Sequence, residues 1–396
     1  VVDSRPSMQL LSPERIGEGE LLYYAFVLGL SAEQQHLLDT LHAQYIEEER
    51  RIRVAHFRDV IEHSYQVARA YPMLPRAERT RVVKEYTEHA LSVDERLQRV
   101  DRTLFDGLRP FLAESQLPWL EVARQDRRQQ RARIFVFGTV TATRSDLGRM
   151  LVQSLLDRDA DLTALSQAAL EQFVQYEHRE TAVLLRVREA ESKYGPQYNI
   201  ARGEGTPLEE LRGMREKRFG PTFELQALNF DTARQLMPLL PDDVGHSFHE
   251  KFWTRYVSSI FPDPAEADAL HDRVVELDTL APEQAEAIAV LYDQYTTRRD
   301  AVQESMLEER IDWDRRQFVI EGRANGIREF RAAMFAHNDD RFENAHAFVD
   351  ALRLQLTAEQ LEVADRWFES WKDRAERRYA ELIEQKGKPG HYWPYG

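Results

Sequence analysis

The side chains best suited to chemistry in this 396-residue sequence are imidazoles and carboxylates, with 12 His, 68 Asp and Glu, and no Cys. The absence of cysteine means no disulfide, no thiol nucleophile and no cysteine metal cage. His246-x-x-His249-Glu250 sets two imidazoles and a carboxylate within about one helical turn, a spacing suited to zinc or another divalent ion. Such a centre needs a further strong ligand close by, and Phe248, Phe252 and Trp253 mark the same segment as a packed helix. No metal residue is therefore assigned. His36, His42, His56, Glu62-His63 and Glu177-His178 do not reproduce the Glu-x-x-His pairs of di-iron bundles. The doublets Asp242-Asp243 and Asp339-Asp340 read as helix N-terminal charges that complement the dipole. The sequence contains no Gly-x-Ser-x-Gly, His-Glu-x-x-His or Gly-x-x-x-x-Gly-Lys. The residues thus predict no catalytic group and no cofactor.

What the sequence does specify is how helices begin. Leu30-Ser31-Ala32-Glu33-Gln34, Leu112-Ala113-Glu114-Ser115-Gln116, Leu162-Thr163-Ala164, Leu280-Ala281-Pro282-Glu283-Gln284 and Leu356-Thr357-Ala358-Glu359-Gln360 share one signature. A Ser or Thr N-cap accepts from exposed backbone N–H groups, and a Gln three residues later reaches back to the N–H of the cap. Ser31 with Gln34 and Thr357 with Gln360 fit that capping box, and Leu356 with Leu361 fits a hydrophobic staple. Pro282 suits the first helical position, where a missing N–H costs nothing. Apolar residues return about eight and eleven or twelve positions beyond each leading Leu: Leu38 and Leu41, Leu120 and Ala123, Leu170 and Phe173, Ile288 and Leu291, Ala364 with Trp367 and Phe368. A degenerate sixth start, Leu240-Pro241-Asp242-Asp243, leads to Phe248, Phe252 and Trp253. The starts pair at separations of 82, 78 and 76 residues, which predicts three related helical units.

The expected fold is all-α, built of repeated long antiparallel helical hairpins or bundles. Its expected organisation is a polar lead-in over 1–20, helical units over 21–150, 151–265 and 266–385, and an aromatic tail over 386–396. Helices are expected from Ser31 to about Ala70 and, after a break at Pro72 and Pro75, from about Arg76 to Ala90, with Ser92 and Glu95 opening the next as a capping box. The Gly- and Pro-rich stretch Tyr194–Pro221 reads as an irregular insertion in the second unit, with Thr206-Pro207 and Glu209 starting a short helix inside it. Phe135–Thr143 suits a short strand or a tightly packed helix. With 31% charged residues spread along helical faces and a formal charge of −15, nucleic acid is not the expected partner. The one basic run, Arg124–Arg133, reads as a helix flank. No segment is long and apolar enough for a membrane span.

Paired LTxxQ motifs on long helices resemble the small periplasmic stress proteins of the Spy and CpxP type. The resemblance is carried by Leu356 to Gln360 with Leu361 and the following amphipathic helix, by Leu30 to Gln34 and by Leu280 to Gln284. Leu112 to Gln116 fits less closely, and Leu162 and Leu240 lack the Gln. The family implies an exported, all-helical protein without cofactor that binds unfolded clients or envelope partners on concave apolar surfaces. Its motifs place and cap helices and carry no catalytic residue. The expected function is accordingly a non-enzymatic periplasmic or cell-envelope binding protein, chaperone-like or scaffold, with proteins as partners and a homo-oligomer or complex as its state. A structural subunit of a larger envelope or extracellular assembly is the alternative, with Tyr392, Trp393 and Tyr395 of the tail as partner contacts. A divalent-metal stress protein is a third reading.

Overall fold

The computed structural model describes residues 15–70, 75–133, 140, 142–143, 145–254, 260, 266–317 and 327–386. Twelve α-helices and no strand lie among them, as the all-α expectation requires. None of these helices is long and apolar enough to cross a membrane. The tail residues Tyr392, Trp393 and Tyr395, most of the lead-in and most of Phe135–Thr143 lie outside the described residues.

The chain divides into two units, residues 1–252 and 253–396. Unit 1 holds α1 (Glu18–Val27), α2 (Ala32–Ala70), α3 (Arg76–Leu108), α4 (Leu117–Arg133), α5 (Leu147–Leu156), α6 (Gln167–Gly203), α7 (Leu208–Leu236) and α8 (Asp242–His249). Here α2 runs beside α3, α6 beside α7, and α5 against α8. Unit 2 holds α9 (Glu266–Val275), α10 (Pro282–Arg315), α11 (Ile327–Leu354) and α12 (Ala358–Lys386), with α10 beside α11 and α9 against α12. The expected boundary at 150 does not appear, with α4 packed along α6 and Arg133 paired to Glu180.

Local chemistry explains where helices begin. Ser31 N–H donates to Gln34 Oε1 at 2.9 Å while Gln34 N–H donates to Ser31 Oγ at 3.3 Å, and Thr357 and Gln360 repeat the exchange at 2.8 and 3.3 Å. Ala113 and Ala281 have no side-chain acceptor, yet Gln116 and Gln284 still take their backbone N–H groups at 2.8 and 3.0 Å. Leu162-Thr163 corrects the expectation. It opens only a 3₁₀ turn, held by Asp161 accepting from Thr163 N–H at 2.8 Å, and α6 starts after Ser166, whose Oγ accepts from Ala169 N–H at 3.2 Å. Of the periodic apolar positions, Leu38, Leu120, Ala123, Phe173, Phe248, Phe252, Ile288, Ala364 and Phe368 are at most 3% exposed, whereas Leu41, Leu170, Leu291 and Trp367 are only half-buried. The helix start expected at Ser92 is absent, because α3 runs on unbroken to Leu108.

The Gly-rich stretch is a second correction. It is the tip of the α6–α7 helical hairpin and not an irregular insertion: α6 continues through Pro196 to Gly203, and α7 through Pro221. The turn between them uses Gly205 at φ +77°, a left-handed conformation that other residues resist. An internal proline costs a helix about 3 kcal/mol, and here tertiary packing outweighs it. Tyr198, Leu211, Phe219 and Leu225 are buried, and Arg218 lies over the Tyr198 and Phe219 rings while pairing with Glu191 at 2.7 Å.

Candidate functional site

Each motif glutamine does more than cap its own helix. The two ends of a pair meet, although 82 or 76 residues separate them in sequence. Gln34 and Gln116 exchange amide hydrogen bonds at 3.0 and 3.2 Å, and Gln284 and Gln360 do so at 3.1 and 3.1 Å. Each amide also donates to a carbonyl in the turn ahead of its partner. Gln34 reaches Phe111 at 2.8 Å, Gln116 reaches Leu28 and Gly29 at 2.9 and 3.1 Å, Gln284 reaches Gln355 at 2.6 Å, and Gln360 reaches Thr279 at 2.8 Å. Two helix starts are thereby clasped face to face. In the Leu162 and Leu240 pair, Ser166 stands four residues after Leu162, where the other motifs have Gln. Its hydroxyl donates to Leu239 at 3.4 Å, so one weaker strand of the clasp remains. These contacts are neutral amides and carbonyls that hold geometry and offer no proton or nucleophile.

Behind the first clasp, α4 carries the basic run that reads in sequence as a helix flank. It is instead interior: Asp126, Arg127, Gln129 and Arg131 are at most 2% exposed. Arg127 pairs with Asp101 at 3.2 Å and Glu20 at 3.4 Å and donates to Tyr45 Oη at 3.3 Å. Arg131 pairs with Asp101 and with Asp94 at 3.2 Å. Arg149 holds Asp126 at 2.9 Å and Glu20 at 3.2 Å, Tyr24 Oη donates to Asp126 at 3.0 Å, and Arg133 holds Glu180 at 2.6 Å. Glu177 has no cation within pairing distance among the described residues; Gln129 donates to its Oε2 at 2.7 Å, while Oε1 lies against Gly148, where a Cβ would come within 2.0 Å. Burial, reinforced by Glu180, Asp146 and Asp126, pushes the Glu177 carboxyl well above its usual range. Burial also lifts Glu180 to about 7, against the opposing pull of Arg133. The paired arginines remain charged. The cluster is a closed interior, suited to specifying how six segments pack and not to admitting a substrate.

An opening lies in unit 2. A groove of about 460 Å³ runs between α9 and α10, lined by His271, Val275, Ala285, Ala289, Tyr292, Asp293 and Thr296. The lining residues of α10 recur at helical spacing on one face, and its small alanines leave the trough open. His271 stacks on Tyr292 at 3.8 Å and 12°, forming a flat aromatic wall. Beneath it, Tyr292 Oη donates to Asp268 at 3.3 Å and Arg299 pairs with Asp268 at 3.0 Å. Val275, on the α9 wall, is 46% exposed. The residues after these, including Ile288, Tyr295, Phe348 and Trp371, form the unit's buried core. The groove was not among the residues singled out in the sequence; the Ala285, Ala289, Tyr292, Thr296 stripe was its signal.

His246, His249 and Glu250 lie together at the surface end of α8, with Phe248 buried between them. Among the described residues no group of three or more His, Asp or Glu side chains is placed to hold a metal ion. No protein-family model, curated protein or solved structure matches this chain.

Proposed function

We propose that this chain is a non-catalytic helical binding protein of the periplasm or cell envelope, chaperone-like or scaffold, that holds protein partners on apolar helical faces. The observation that carries the reading is the open α9–α10 groove, whose walls are mainly apolar, aromatic or small, with Asp293 and Thr296 on the α10 side, and whose polar floor is already paired. Such a trough offers area and shape for a hydrophobic side chain and lacks convergent polar groups to orient a reacting molecule. The clasped glutamines support the reading by fixing the helix starts that bound the groove, since Gln284 opens α10. Packing of α9 on α12 keeps the opposite wall in place.

The test is aggregation of an unrelated client followed by light scattering, with the chain present in equimolar amounts and its own mass measured in parallel. The expected result is slowed client aggregation by a discrete small species. Unaltered aggregation, with the chain itself forming large assemblies that dissolve when residues 386–396 are removed, would replace this reading with that of an assembly subunit.

A further inference from the structure

The groove is flanked by acid. Asp293 lines it directly, and Glu286 precedes Asp293 by seven residues, which is two helical turns and therefore the same face of α10. Across the trough, Asp272 follows His271 on α9 and its side chain is 71% exposed. The bases nearby are spent or turned away. Arg299 is paired with Asp268 and Asp300, both at 3.0 Å. Arg273 sits two residues from both His271 and Val275, so it projects from the far side of α9.

We propose that this groove docks a basic amphipathic helix of a protein partner. The partner's apolar stripe rests on His271, Val275, Ala289 and Tyr292, and its Lys or Arg flanks meet Asp272, Glu286 and Asp293. The inference rests on the binding-protein reading and adds the chemistry of the partner. From Ala285 to Thr296 the trough is about 16 Å long, which matches about three turns of helix and anchors at i, i+4, i+7 and i+11. Ala285 and Ala289 let a second helix approach closely. The acidic rim sets orientation and rejects acidic helices, and the formal charge of −15 steers basic partners from a distance.

Two synthetic helical peptides test this, with identical leucines at i, i+4, i+7 and i+11 and either Lys/Arg or Glu flanks, titrated by fluorescence anisotropy against the full chain. The basic peptide is expected to bind at low salt and the acidic one not. Ala289→Trp, which fills the trough at an exposed position, and separately the charge reversal Glu286→Lys with Asp293→Lys, should each weaken the basic peptide by about tenfold or more. The charge reversal should also admit the acidic peptide. Equal binding of both peptides, or wild-type affinity in both variants, would overturn the proposal. So would a wild-type dimer that Ala289→Trp dissociates, because the groove would then be covered by a second copy of the chain. The client assay separates the two levels. Aggregation suppression that survives Ala289→Trp, without peptide preference, removes the groove inference alone; charge-selective peptide binding without any suppression removes the chaperone reading and leaves the groove.

Discussion

Eleven residues beyond their paired glutamines, the two units diverge. After Gln34 and Gln284 that position is Tyr45 and Tyr295, both buried, and burial pushes both hydroxyls up to about 12. After Gln116 and Gln360 it is Arg127 in one unit and Trp371 in the other. Arg127 turns the interior of unit 1 into an ion-pair network with Tyr45 at its edge, whereas Trp371 joins Tyr295 and Phe348 in an apolar, aromatic core. The same clasp at the turn thus sits in front of opposite interiors. Its geometry depends on amides and backbone carbonyls alone, so the core behind it is free to change character. A charged interior stabilises little for its size but penalises every arrangement that leaves a charge unpaired. An apolar one stabilises by burial and leaves the unit with an apolar trough beside it.

The largest effect should come from breaking the charged interior. Arg127→Met leaves Asp101 with Arg131 alone and Glu20 with Arg149 alone, and is expected to cost unit 1 about 3 kcal/mol in urea unfolding. Trp371→Phe, a smaller change in an apolar site, should cost unit 2 about 1–2 kcal/mol. Equal losses would erase the contrast.

The next effect is a pH dependence of unit 1. Glu180 titrates at about 7 in the folded chain against an ordinary 4.5, and Glu177 is raised as well, so the folded state holds protons that the unfolded chain releases. Their ionisation therefore costs stability as pH rises through about 7, and the penalty is absent below about 4.5. Unit 1 should lose on the order of 2–3 kcal/mol between pH 5 and pH 8 relative to unit 2. Glu177→Gln, which keeps the shape and removes a charge, should flatten that slope. Melting of both units measured across this range checks it, and a slope of the opposite sign would contradict the cluster's electrostatics.

Smaller effects test the clasp itself. Gln360→Ala removes four hydrogen bonds at a position 4% exposed and should cost about 2 kcal/mol, while adding Gln284→Ala should cost less than its effect alone, because the two amides serve each other. Ser166→Ala, in the pair with only one remaining strand of the clasp, should cost about 1 kcal/mol through its lost N-cap.

Much of the fold was legible because its instructions are local. Capping boxes at Ser31 and Thr357, prolines between α2 and α3, and the returns of Leu38, Ile288 and Ala364 all act within a few turns of chain. What stayed hidden depends on distant residues. No local signal says that Gln34 meets Gln116 or that the run from Arg124 to Arg133 faces inward, since its partners Glu20, Asp101 and Glu180 come from three other helices. Glycines and prolines near 195–221 argue for irregular chain, and only the α6–α7 contact overrides them. The groove was readable as a stripe of small residues on α10, but its open side follows from where α9 lies.

Hydrogen exchange of the full chain, with and without the basic amphipathic peptide, addresses the central claim most directly. The account predicts slowed exchange in α9 and in α10 from Ala285 to Thr296, with α1 and the matching part of α2 unchanged. Protection spread over both units, or none in the α9–α10 segment, would contradict it.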